Sequence, residues 1–137
     1  VSDTESSLHF YRDTLGLRVA GESENFGPEQ EWLNNVFGAR LRITTLRAPA
    51  GPGVELLEYL TPRDGRPAPG DHKVNDVSHW QIRLVVSDAA AALRTVQQGR
   101  WSTVSPEIVA VPDVRVGLRH GALVRDPDGH AAQLAEP

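Results

Sequence analysis

The feature that most constrains this chain is an internal echo. The run Val1-Ser2-Asp3-Thr4-Glu5-Ser6-Ser7-Leu8 returns as Val86-Ser87-Asp88-Ala89-Ala90-Ala91-Ala92-Leu93, at one constant offset of 85 residues. Self-similarity at a fixed offset points to a duplicated supersecondary unit. Each copy places Asp ahead of an amphipathic pattern. An Asp carboxylate suits a helix N-cap because it accepts the orphan backbone N–H groups of the first turn. In the first copy Leu8, Tyr11 and Leu15 share a face and Gly16 supplies a stop. In the second, Ala89, Ala92, Leu93 and Val96 share a face and Gly99 stops the helix.

Strand-like runs follow each helix. The first half offers 17–21, 40–46 and 54–60, with a short helix or ordered loop over 28–38. The second half offers a weak run over 105–109, then 118–125 and 130–135. Asp126-Pro127-Asp128-Gly129 reads as the hairpin turn between the last two, since Pro presets φ and Gly accepts a positive φ. The run 79–86 opens the second half and feeds straight into Ser87-Asp88. The counterpart of that opening strand would precede Val1, so the first module is expected to lack it within this chain. The organisation expected is one domain over 1–137: module one 1–61, a Pro-, Gly- and charge-rich linker 62–77, and module two 78–137.

Composition narrows the function classes. A chain of 137 residues is one domain's worth and buries roughly two-thirds of its unfolded surface. No cysteine is present, so thiolate metal sites and disulfides are excluded. A formal net charge of −4 argues against nucleic acid as a partner. No apolar run approaches the ~18 residues of a membrane span, and no signal-peptide core is seen, so a cytoplasmic protein is expected.

Four segments carry a family resemblance. Ser6–Leu17 (SSLHFYRDTLGL) looks like the helix signature of vicinal-oxygen-chelate proteins, the glyoxalase / bleomycin-resistance / extradiol-dioxygenase type. Gly53–Leu60 (GVELLEYL) resembles that family's fourth strand, Ser78–Asp88 (SHWQIRLVVSD) the opening strand of its second module, and Arg125–Leu134 (RDPDGHAAQL) its closing hairpin. The resemblance implies an α+β fold of paired βαβββ modules forming a cupped mixed sheet. It also implies a divalent metal (Zn, Ni, Co, Mn or Fe) held by one residue from each first and fourth strand. Carried over, the ligands fall on the absent opening strand, Glu55, His79 and Gln133. Strand alternation is compatible, because each of the three lies on the polar face of its own strand, while Trp80, Ile82, Leu84 and Val86 form an apolar face.

Gln133 departs from the family's usual Glu. A neutral amide oxygen is a weaker ligand and is no general base. A dioxygenase triad of two His and a carboxylate is damaged by it unless Glu55 substitutes. The reading favoured is a glyoxalase-like lyase or epimerase, with Glu55 as catalytic base. Alternatives are a metal-free protein that sequesters an aromatic antibiotic, a ring-cleaving dioxygenase, and a scaffold domain of a larger enzyme. Tyr59, Gln81 and Arg83 are candidate substrate-binding residues, Arg83 as a fork for a carboxylate or phosphate or else as half of an ordinary ion pair. Plain readings stand beside these: His79 as a half-buried strand histidine, Glu55 as a solvated carboxylate, Gln133 as a pocket hydrogen-bonder. Glu58, on the opposite strand face, reads as a surface carboxylate; Glu29-Gln30-Glu31, His9, His72 and His130 read as solvated. His120 is a minor site candidate. A small-molecule substrate and a homodimer are the expected partners.

Overall fold

In the computed structural model residues 1–137 are described, the side chain of Val114 excepted. The chain divides into two compact units, Val1–Pro67 and Ala68–Pro137. Residues 68–77, read above as part of a linker, belong to the second.

The first unit runs α1 (Thr4–Leu8), a π-helical continuation (His9–Thr14), β1 (Arg18–Phe26), α2 (Pro28–Asn34), β2 (Arg40–Arg47) and β3 (Val54–Thr61). Asp3 caps α1, its Oδ1 accepting from Ser6 N at 2.7 Å. In the π turn consecutive Phe10 and Tyr11 are both buried, 0% and 2% exposed. Their rings meet edge to face with centroids 4.9 Å apart. Gly16, at φ 79°, then releases the chain into β1. The three strands form an antiparallel sheet in the order β1-β2-β3. Thr44, Leu46, Leu56 and Glu58 are buried in it.

The second unit is β4 (Gln81–Val85), α3 (Ala89–Gln98), β5 (Val109–Ala110), a 3₁₀ turn (Val114–Val116), β6 (His120–Arg125) and β7 (Ala131–Glu136), the expected βαβββ order. The sheet order is β4-β7-β6-β5, with β4 parallel to β7 and the other pairs antiparallel. Asp88 caps α3 as Asp3 caps α1, accepting from Ala91 N at 2.7 Å. Glu136 adds a long-range contact, its Oε2 accepting from Ala89 N at 2.9 Å. Leu93 and Val96 of α3 are buried, as are Ala122, Val124, Ala132 and Leu134 of β6 and β7. Each large aliphatic side chain so buried contributes about 1.5–3 kcal/mol. The alanines keep the helix close to the sheet.

Three expectations are corrected here. The opening strand of the second module starts at Gln81, so His79 and Trp80 lie in the approach to it, and Trp80 is 52% exposed rather than packed. The weak strand is only Val109–Ala110. Gln30, read as solvated, is buried.

Candidate functional site

The strand registers decide which side chains share a face. In the second unit, parallel pairing sets Arg83 beside Gln133 and antiparallel pairing sets Gln133 beside Leu123. The adjacent rows are Gln81–Ala131–Arg125 and Val85–Ala135–Gly121. These rows lie on one face, and Ile82, Leu84, Ala132 and Leu134 lie on the other. No carboxylate stands on the first face's three rows.

Arg83 and Gln133 do more than sit abreast. Arg83 Nε donates to Gln133 Oε1 at 2.7 Å, and Arg83 Nη1 donates to the Val116 carbonyl at 3.1 Å. The ion pair considered for Arg83 is not formed: among the described residues no carboxylate lies within salt-bridge distance of it. The guanidinium is therefore fixed by two neutral oxygens and keeps its full charge. Arg125 is likewise held by carbonyls, those of Gly129 at 2.6 Å and His72 at 3.1 Å.

His79 stands four residues before Arg83, about 13 Å along an extended chain. Its ring lies 5.7 Å from that of His72, centroid to centroid. The Nδ1 of His79 is buried and has no hydrogen-bond partner among the described residues. Such orphaned groups are rare in folded proteins and call for a bound water, ion or ligand. His72 is the partner of Ser78 Oγ at 3.2 Å rather than a solvated side chain.

In the first unit Glu55 sits on the face of β3 shared with Leu57 and half-buried Tyr59. It is exposed, and its one contact is a long 3.4 Å hydrogen bond from Thr45 Oγ1. Glu58 is the reverse of the surface group expected from alternation. It is 3% exposed; Oε2 accepts from Thr4 Oγ1 at 2.7 Å and Thr4 N at 3.3 Å, and Oε1 from Arg63 Nη2 at 2.8 Å. Arg42 approaches to 3.5 Å. Its role is to tie α1 to β3. A separate open groove of about 400 Å³, lined by Phe26, Gly27, Glu31, Gly38, Ala39, Arg40 and Thr61, contains none of the expected site residues.

His130, read as solvated, is half-buried beside the hairpin turn, its Nδ1 2.9 Å from Asp126 Oδ2. The buried Asp126 carboxylate raises the imidazole above its ordinary pKa, against an opposing effect of burial. The Trp80 ring lies 5.0 Å from it, centroid to centroid. Neither residue lies on the rows that hold Arg83.

The family model for the glyoxalase/bleomycin resistance protein/dioxygenase superfamily matches residues 1–134. The chain belongs to that superfamily. Solved structures share the fold. A glyoxalase family protein from Bacillus cereus is 21% identical with a TM-score of 0.79, the match covering 99% of this chain and 87% of that one. The trypanothione-dependent glyoxalase I of Leishmania major is 18% identical with a TM-score of 0.63, covering 99% and 80%. A lactoylglutathione lyase from Agrobacterium tumefaciens is 14% identical with a TM-score of 0.55, covering 99% and 87%. No curated protein sequence matches the chain.

Members of the glyoxalase superfamily generally use divalent metals, so the expected ligands must be tested against the geometry. Glu55 carries only the long bond from Thr45, and the orphaned Nδ1 of His79 suits a bound group. Gln133 is not free. Its carbonyl oxygen already accepts from a guanidinium, and a divalent ion there would lie about 4 Å from that charge. The repulsion runs from about 2 to about 8 kcal/mol as the effective dielectric falls from that of water to that of a protein surface. Within each unit, no three His, Asp or Glu side chains among the described residues gather to hold a metal. Gln133, as it is held in the second unit, is poorly suited to serve as a ligand. The signal was present in the sequence as Arg83 on the same strand face as the proposed ligands, but the parallel register was needed to pair it with Gln133.

Proposed function

We propose that this chain is the small-molecule domain of a glyoxalase-type enzyme, a lyase or epimerase that moves a proton beside a carbonyl group. The observation that carries the reading is Glu55. A carboxylate with one long neutral contact, on a strand face with Tyr59, is available to take a proton. Gln81 and Arg83, on the second unit, are proposed as substrate-binding polar groups. The names of the related structures, a glyoxalase I and a lactoylglutathione lyase, supply the first reaction to assay. Wild type should form lactoylglutathione, and Glu55→Gln should lose about 100-fold or more in kcat with little change in KM. Equal rates for the two proteins, or no activity in any metal condition, would remove the lyase reading.

A second reading has one observation in its favour. The unpartnered Nδ1 of His79 is what a metal-holding or ligand-holding histidine leaves behind. Elemental analysis of wild type against His79→Ala decides it: stoichiometric metal lost with His79 would support a metal centre built on His79. No helix is long and apolar enough to cross a membrane among the described residues, and a cytoplasmic setting is part of the proposal. So is a homodimer, for which exposed Phe26, Trp32, Leu33 and Phe37 offer an apolar surface.

A further inference from the structure

The geometry points to Arg83 as the anchor of a carboxylate-bearing ligand, held with no divalent ion at Gln133. The inference rests on the reading that the Arg83 face of the second unit takes the substrate. Four observations carry it. Arg83 has no carboxylate partner among the described residues, and no acid stands on its three rows. Its guanidinium is held by Gln133 Oε1 and the Val116 carbonyl, so its orientation is set before any ligand arrives. Those bonds use two of the five N–H donors a guanidinium carries. Three donors are left, both of those on Nη2 and one on Nη1, to meet the oxygens of a carboxylate. Finally, Val85 on the next row is 70% exposed and Leu123 flanks Gln133, so an apolar body has somewhere to lie beside the bound charge.

Gln133 acquires a different role from the one its position suggests. An amide oxygen orients Arg83 without neutralising it, whereas a glutamate there would quench the charge. The departure from the family's usual residue and the unpaired arginine are thus one feature.

The test is an NMR titration of the ¹⁵N-labelled chain in chelator, following Arg83 Nε–H and the Gln133 side-chain amide. The probe is lactate, with its neutral amide lactamide as control. Lactate should shift both signals saturably and lactamide should not. Arg83→Gln should weaken lactate binding at least about ten-fold, and Arg83→Lys, which keeps the charge but not the fork, should fall between. Separately, diamagnetic Zn²⁺ added to wild type should leave the Gln133 side-chain amide shifts unchanged, whether or not it binds at His79. Unchanged lactate binding in Arg83→Gln, no response at Arg83 in wild type, or a stoichiometric Zn²⁺ shift of the Gln133 side-chain amide that persists in His79→Ala would each overturn the proposal. None of these readouts uses turnover, so failure of the Glu55 lyase assay and failure of the Arg83 anchor are seen separately.

Discussion

Removing the Glu58 carboxylate should destabilise the first unit by an amount that its partners allow to be worked out. Glu58 is buried, and Thr4 gives it two donors, the hydroxyl at 2.7 Å and the backbone N–H at 3.3 Å. A hydrogen bond to a charged group contributes about 1.5–3 kcal/mol, and a buried donor left unsatisfied costs about 1–3 kcal/mol. The guanidiniums of Arg42 and Arg63 have side chains 45% and 65% exposed, so water takes over most of their interaction and each adds less than about 1 kcal/mol. Glu58→Ala should therefore cost about 3 kcal/mol, nearly all of it through Thr4. Glu58→Gln keeps an acceptor for the hydroxyl and should cost about half as much. Urea denaturation gives the comparison, with a midpoint lowered by about 1.5 M for Glu58→Ala if the m-value stays near about 2 kcal/mol/M. Thr4→Val closes a double-mutant cycle with Glu58→Gln, with a coupling of about 1 kcal/mol expected. A Glu58→Ala midpoint within error of wild type, or no coupling to Thr4, would refute the assignment of Glu58 as the tie between α1 and β3.

Two further outcomes follow from the hairpin of the second unit. The His130 imidazole, raised by Asp126, should titrate by NMR above the ordinary histidine range, and Asp126→Asn should bring it down. A raised folded-state pKa stabilises below the unfolded value near about 6.5 and loses that contribution as pH rises through the folded value, so wild-type stability should decline over that window and Asp126→Asn should flatten the decline. Gly129 adopts φ 88°, and a Cβ there would meet only Ala68 Cβ at ordinary contact, 3.6 Å. Gly129→Ala should accordingly cost about 1–2 kcal/mol from backbone strain alone, read as a lowered thermal midpoint; no measurable change would mean the turn relaxes.

Sequence reading reached the duplicated helix starts, the hairpin and the family, but misplaced several side chains. The caps at Asp3 and Asp88 were legible because their acceptor and donor are three residues apart and need nothing else in the molecule. The Asp126–Gly129 turn was legible for the same reason. Phe10 lay outside the expected helical face, which counted one stripe only; the structure buries it as well, its ring against that of Tyr11. Glu58 looked like surface because alternation tells which face a residue occupies, not what lies over that face; here α1 lies over it.

The chain alone determined where helices begin, where turns fall, and which residues alternate onto which strand face, since backbone donors, φ preferences and side-chain period act over a few residues. It also placed Glu55, Tyr59, Gln81, Arg83 and Gln133 on polar strand faces. Only the tertiary structure decided that Arg83 binds Gln133, fifty residues away in sequence, and that Glu58 closes on Thr4, fifty-four away. Those pairings depend on strand order and register, which are set by the packing of whole faces rather than by any local signal. The identity of the partner, not the identity of the residue, separates a metal ligand from a group that orients a cation.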